Sequence, residues 1–184
     1  MNVYDWDKTI YDGDSTFSFI RYLFCHYPKT LLNLPRIIFF GIGYGLQLVS
    51  KQSFKENLFH LFVYVKDMPL ATKRFCESHL DHVKSFYQQK EDDVIISASP
   101  EFLIQEFGRL LHIQCIIASP VEQKTGHYMG LNCHGEEKVK RFYKRFPKGE
   151  IHEFYSDSLS DTPLAQLAKK AFLVKKEKVL DWPK

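Results

Sequence analysis

From Asp92 onward, short apolar runs that end in small polar or acidic residues alternate with longer amphipathic segments. That alternation narrows the folds open to the chain more than any other feature. "VIISAS", "IQCIIAS", "HEFYSD" and "AFLV" read as strands. "EFLIQEFGRLL", "GEEKVKRFYKRF" and "TPLAQLAKK" read as helices between them, the first with Ser99 as N-cap and Pro100 as first helical residue. "HYMGLNC" suits part of a small hairpin. Adding "NVYD" near the start gives about five short strands joined mostly through helices, which predicts an α/β fold with a mostly parallel sheet.

Between the first strand and the second the texture is helical. "STFSFIRYLFCHY" places Phe17, Ile20, Phe24 and Tyr27 at helical spacing, with a break at Pro28. A second helix is expected over Leu31–Val49, and a third after Ser53 and Glu56, which have capping-box spacing. A fourth begins after Pro69 and carries Phe75, Leu80, Val83 and Phe86. The expected organisation is a core of residues 1–12 and 91–184, with residues 13–90 inserted as an all-helical cap.

Bulk composition excludes more than it selects. An apolar share of 45% with 26% charged residues is ordinary for a globular chain, which argues against a disordered or fibrous class. A net charge of +3 is too small to imply nucleic acid. Cys25, Cys76, Cys115 and Cys133 are scattered, as expected of reduced thiols in a cytoplasmic protein, and no secretory leader is visible. In Leu31–Val49 the uncharged stretch Ile37–Val49 reaches about 20 Å as a helix, short of the ~30 Å hydrocarbon layer. A buried helix is the plainer reading. The sharper one is an interfacial helix flanked by Lys29, Arg36 and Lys51, resting on the inner face of an anionic membrane.

In open parallel sheets, ligands bind beyond the carboxyl ends of the strands. Past the first strand stand Asp5, Asp7 and Thr9; past the second, Ser97, Ala98 and Ser99; past the fourth, Asp157, Ser158 and Asp161. Lys138 opens the helix that follows Gly135. Carboxylates, a lysine and hydroxyls converging on one rim suit a hard cation and a phosphoryl group, and oxygen ligands suit Mg²⁺. The competing readings are a turn or cap pair for Asp5 and Asp7, a surface lysine for Lys138, and a plain N-cap for Asp161.

"DWDKT", "VIISAS", "GEEKV" and "SDSLSD" resemble, in order, the four motifs of the haloacid dehalogenase superfamily in its phosphoserine-phosphatase-like branch. The resemblance implies a Rossmann-like core and a Mg²⁺-dependent phosphatase. Asp5 would be the nucleophile and form an aspartyl phosphate, and Asp7 the general acid and base. Lys138 would neutralise charge, while Ser97, Ala98 and Thr9 would hold the substrate phosphate or its loop. Asp5, Asp157 and the Asp7 carbonyl would ligate the metal, with Ser158 and Asp161 behind them. Trp6, bulky at a variable position, and Ser156, where the family often has glycine, are expected to affect packing or access.

For substrate, "DGDSTFSFIRYLFCHYP" and the C-terminal half resemble the phosphatidylglycerophosphatase-like members, implying a phospholipid headgroup. Phosphoserine phosphatases place a glutamate for the amino group where this chain has Asp14, so a small metabolite such as phosphoserine is the alternative. A non-catalytic, phosphate-sensing or membrane-associated module is the alternative of another class.

Overall fold

The computed structural model describes residues 1–183. Its sheet has six strands in the order β3-β2-β1-β4-β5-β6. They are β1 (Asn2–Tyr4), β2 (Val94–Pro100), β3 (Cys115–Ser119), β4 (Ile151–Ser156), β5 (Ala168–Lys175) and β6 (Lys178–Asp181). β1 to β5 pair in parallel, and β6 returns antiparallel on β5. The α/β class and the mostly parallel sheet match the expectation, and β6 is additional. β6 is hidden in the sequence because its alternation is short and flanked by lysines, the composition that suits an exposed edge.

The chain builds β2 and β3 on one side of β1, then crosses to build β4 and β5 on the other. The order therefore reverses between β1 and β4, and the crevice past their carboxyl ends is where such sheets bind ligands. Alternation along the central strands sends side chains to two cores. Val3, Val94 and Ile96 pack with Phe142 of α6 (Glu136–Arg145), and with Leu164 of the single-turn α7 (Thr162–Ala165). Tyr4 and Ile95 face the opposite core, which includes Phe107 of α5 (Glu101–Leu110).

That second core runs without interruption into the helical block between β1 and β2. The block comprises α1 (Ser15–His26), α2 (Leu34–Gly45), α3 (Lys51–Phe59) and α4 (Met68–Glu77), with 3₁₀ segments at Pro28–Asn33, His60–Tyr64 and Leu80–His82. Phe107 lies 5.1 Å from Trp6 and 6.0 Å from Phe75 of α4, and Phe75 lies 5.1 Å from Phe19 of α1. A continuous aromatic column thus welds α1 and α4 to the sheet. Emptying one such position costs about 3–5 kcal/mol.

A loop after β3 fastens the block from the other side. The Tyr128 amide donates to Glu56 Oε1 (3.1 Å), the Asn132 amide to Gln52 Oε1 (3.3 Å), and Gln52 Nε2 to the Gly130 carbonyl (3.4 Å). Gly126, with φ of +76°, sits so close to Phe59 that an added Cβ would lie 2.3 Å from its carbonyl oxygen. Only glycine fits there.

Helix α2 differs from the other long helices in having no buried residue. Ile38, Phe39, Ile42, Leu46 and Leu48, on α2 and the turn after it, present 59 to 79% of their surface to solvent. No helix among the described residues is long and apolar enough to cross a membrane.

Several local expectations are corrected. The helix expected over Leu31–Val49 is shorter: Leu31–Asn33 are 3₁₀, α2 runs from Leu34 to Gly45, and Pro35 sits in its first turn. The N-cap of α3 is Ser50, which accepts the Ser53 amide, so Ser53 and Glu56 lie inside the helix. α4 stops at Glu77, because Val83 bridges Tyr11 and the Lys84 amide donates to the Ile10 carbonyl, pulling that stretch straight. The "TPLAQLAKK" helix shrinks to α7 since Ala168 already pairs with Ile151 in the sheet. Of the hairpin in "HYMGLNC", a single bridge between Val121 and Tyr128 forms.

Candidate active site

Beyond the carboxyl ends of β1, β2 and β4 lies a cleft of about 380 Å³. Its floor carries Asp5, Asp7, Ala98, Ser99, Lys138, Asp157, Ser158 and Asp161; its roof comes from α1, α2 and α3. Lys138 is the centre of the floor. Its ammonium donates to Asp5 Oδ1 and to Asp161 Oδ2, each at 2.7 Å, and it is 2% exposed, so it is no surface lysine. Gly135, at φ +57° and ψ −127°, turns the chain into α6 one turn before Lys138 and so aims it inward.

Asp161 does not cap α7 with its side chain. Its Oδ2 accepts from Ser156 Oγ at 2.7 Å as well as from Lys138, and Ser156 Oγ in turn accepts the Ser158 amide at 3.2 Å. Ser156, expected to affect packing or access, is therefore wired to the charge network. Trp6 behaves as expected, fully buried against Tyr11 and Phe107.

Asp7 sits apart from Lys138. Its Oδ1 accepts both the amide and the hydroxyl of Ser15, each at 2.6 Å, and its Oδ2 accepts Ser99 Oγ at 2.5 Å. Ser99, expected as an N-cap, instead spends its hydroxyl on Asp7 and shares a 2.7 Å bond with Thr16 Oγ1. Ser15 and Thr16 are the neighbours of Asp7 and Ser99 that motif reading passed over; the signal was the hydroxyl pair in "DGDST", a few residues after the acidic pair. Asp14 caps α1 by accepting the Phe17 amide at 2.8 Å, and it also lines the cleft.

Thr9 is a hinge between the two acidic strand ends. It accepts the Asp157 amide at 2.9 Å and reaches Asp5 Oδ2 at 3.4 Å. Ser97 is fully buried and accepts the Ser99 amide at 3.1 Å; neither Ser97 nor Thr9 lines the cleft.

The electrostatics divide the carboxylates. Burial pushes Asp5 up to about 7, with Asp161 and Asp7 adding to the rise and Lys138 opposing it. Burial would lower the Lys138 ammonium, but Asp5 and Asp161 more than compensate and hold it above the ordinary lysine range. Burial, then Asp14, raises Asp7 against the hydrogen bonds from Ser15 and Ser99. Asp157 is raised by burial, with Lys8 and Lys175 opposing.

These side chains fit a hard cation. Asp161 Oδ1 is buried without a partner, the Asp157 carboxylate accepts no hydrogen bond among the described residues, and Asp5 Oδ2 has only the long contact to Thr9. One lysine leaves negative charge uncompensated, and every open donor is oxygen. No three His, Cys, Asp or Glu side chains among the described residues form a ready-made cage. Mg²⁺ does not need one, because it takes one or two carboxylates and keeps waters or substrate oxygens.

A model of the haloacid dehalogenase-like hydrolases matches residues 3–166. A search of curated proteins gave no match. Among solved structures, the chain resembles a protein of unknown function from Bordetella pertussis Tohama I (TM-score 0.68, 18% identity, 93% of this chain and 87% of that one). It is also similar to a HAD family hydrolase from Salmonella enterica serovar Typhi (0.62, 12%, 91% and 60%). A third is a phosphoserine phosphohydrolase-like protein from Francisella tularensis (0.52, 16%, 93% and 86%). At these identities the structures show the shared fold. The match over most of the length, with the acidic rim at the reversal of a parallel sheet, makes this chain a member of the haloacid dehalogenase-like hydrolases.

Proposed function

We propose that the protein is a Mg²⁺-dependent phosphomonoesterase working through an aspartyl phosphate on Asp5, with residues 13–90 as a cap over a core of residues 1–12 and 91–184. The observation that carries this reading is that Asp5 lines the cleft and pairs with Lys138 through one carboxylate oxygen, which leaves the other with only a long contact to Thr9. That oxygen attacks phosphorus, the bond from phosphorus to the alcohol oxygen breaks, and the alcohol leaves with a proton from Asp7. Water then attacks the same phosphorus, Asp7 takes its proton, and the bond to Asp5 breaks to release inorganic phosphate. The raised Asp7 suits both transfers, since a carboxyl held up by burial can carry a proton closer to neutral pH.

Asp5, Asp157 and the Asp7 carbonyl would hold Mg²⁺, which when bound supplies charge stabilisation to the phosphoryl oxygens. Lys138 favours the ionised form of Asp5 against the effect of burial, and Asp161 keeps Lys138 in place through its second bond. The Ala98 segment lines the cleft, and Ser97 braces it from behind by accepting the Ser99 amide.

For substrate, a phospholipid headgroup phosphate is the first reading, supported by the bare apolar face of α2 beside the cleft. Tyr44 of α2 stacks on Phe54 of α3 at 5.4 Å, and both line the cleft, so the exposed helix continues into its mouth. Lys29, Arg36 and Lys51 lie along this segment, the charge pattern of an interfacial helix at an anionic membrane. The small-metabolite reading is supported by Asp14, which lines the cleft and stands where phosphoserine phosphatases place a glutamate, and by the name of the Francisella structure.

The test is phosphate release from phosphatidylglycerophosphate vesicles and from phosphoserine, with and without Mg²⁺, for the native protein and Asp5→Asn. Mg²⁺-dependent release that Asp5→Asn abolishes is the expected result. Release that survives the substitution removes the nucleophile from the scheme, and no release from any ester returns the chain to a non-catalytic module. Rapid phosphoserine turnover with silent vesicles reverses the order of substrates.

A further inference from the structure

The roof of the cleft holds charge that the reaction at Asp5 does not use. Lys55 of α3 reaches over to donate to the Ala98 carbonyl at 3.1 Å and stands 3.5 Å from Asn132 Oδ1, both neutral acceptors. No carboxylate among the described residues lies within 4.0 Å of its ammonium, although Asp7 and Asp14 attract it from farther off. Lys51 sits one turn earlier on the same helix and lines the same cleft. Like charges four residues apart on a helix repel, so nothing in α3 itself favours the pair. Burial and Lys51 both press the Lys55 ammonium towards losing its proton. His134 lines the cleft beside them, and Tyr44, Phe54 and Leu58 supply an apolar wall.

An ammonium kept half-buried, without a counter-ion, across a cleft from a nucleophile is arranged to meet an anion. The phosphoryl group itself belongs on the floor, where Asp5 and Lys138 are. We propose that Lys55, seconded by Lys51, forms a second anion subsite in the roof, so that the preferred substrate is a phosphomonoester whose alcohol carries a further negative charge. This rests on the phosphatase reading above and specifies its substrate class. The added charge would be a carboxylate on a soluble acid or the phosphodiester of a lipid headgroup, and the ammonium accepts either.

A matched pair isolates the subsite: glycerol 3-phosphate and 3-phosphoglycerate are similar in size and differ in a neutral hydroxymethyl against a carboxylate. Phosphatidylglycerophosphate in detergent micelles forms the third arm. The native enzyme is expected to favour at least one anionic alcohol over glycerol 3-phosphate by tenfold or more in kcat/KM, chiefly through KM. Lys55→Met should shrink that preference at least fivefold, and Lys55→Arg should restore most of it. Preference in the carboxylate arm identifies a soluble acid, and preference in the micelle arm a lipid headgroup. Equal losses on all three substrates in Lys55→Met, or no preference in the native enzyme, would overturn the subsite and leave Lys55 as a latch on Ala98. Absence of Asp5-dependent release from any of the three would instead remove the phosphatase reading beneath it.

Discussion

The floor of the cleft and helix α2 break the usual distribution of residues in opposite directions. On the floor, Asp5, Lys138 and Asp161 are charged and buried, each at 8% exposure or less. On α2, the residues are apolar and in water, with Phe39 at 71% and nothing buried. Each arrangement costs free energy that an ordinary packing would avoid. The two differ in what repays that cost. The floor is closed on itself by short hydrogen bonds, so its charges depend on one another before any ligand arrives. The face of α2 has no partner among the described residues, and nothing among them offsets its cost. Functional strain inside a network should therefore show up in stability and chemistry together, while strain on a bare face should show up in binding alone.

The largest expected effect is at the nucleophile. Asp5→Asn should lower kcat by about four orders of magnitude or more, measured as phosphate release under saturating Mg²⁺. Asp7→Asn should cost about 10²–10⁴ in kcat on alkyl phosphates, and much less on p-nitrophenyl phosphate, whose leaving group needs no proton. Equal losses on both esters would deny Asp7 its role as acid. Next comes Lys138→Met, which leaves two buried carboxylates facing each other. Removing one partner of a buried ionic group costs about 3–5 kcal/mol, so denaturant melts should show that loss alongside the loss of turnover. A variant that loses activity with unchanged stability would break the floor's half of the comparison.

Metal linkage sharpens it further. Asp5 is raised to about 7 by its protein surroundings, against an ordinary carboxyl value of 3.8. Between those values the folded state binds the proton more tightly than the unfolded chain, so this group's contribution to stability is present at low pH and is lost as pH rises through about 7. A bound cation favours the ionised form. Mg²⁺ at about a hundred times its dissociation constant should add about 2.7 kcal/mol near pH 7.5, seen as a rise in Tm, and distinctly less at pH 5. A rise independent of pH would place the ion away from Asp5. The smallest stability effect is predicted for α2: serine at Ile38, Phe39 and Ile42 together should shift unfolding by less than about 1 kcal/mol while abolishing sedimentation with anionic vesicles. A large destabilisation would show that the face is already covered.

Much of this was legible in the sequence because the chemistry sits at strand ends, and strand ends are marked by abrupt changes in side-chain character. "NVYD" and "VIISAS" announce themselves that way, and four motifs in order located Asp5, Asp7, Lys138 and Asp157 before any coordinates. What was not legible depends on contacts made across the fold. Ser99 has every local qualification for an N-cap, yet Asp7, from the neighbouring strand end, claims its hydroxyl. The residues after Ala165 have helical composition, but pairing with β4 makes them strand. Nothing in the residues around Lys55 along the chain reveals that α3 tips it over Ala98.

The fastening of α3 by the loop after β3 limits how this enzyme can breathe. Swinging the roof away as one plate would tear Glu56 from Tyr128 and Gln52 from Asn132, and would prise Phe59 off the glycine moulded against it. A roof that opens must therefore leave α3 in place, and α2, which buries no residue and meets α3 through the stacked Tyr44 and Phe54, is the part that can give way.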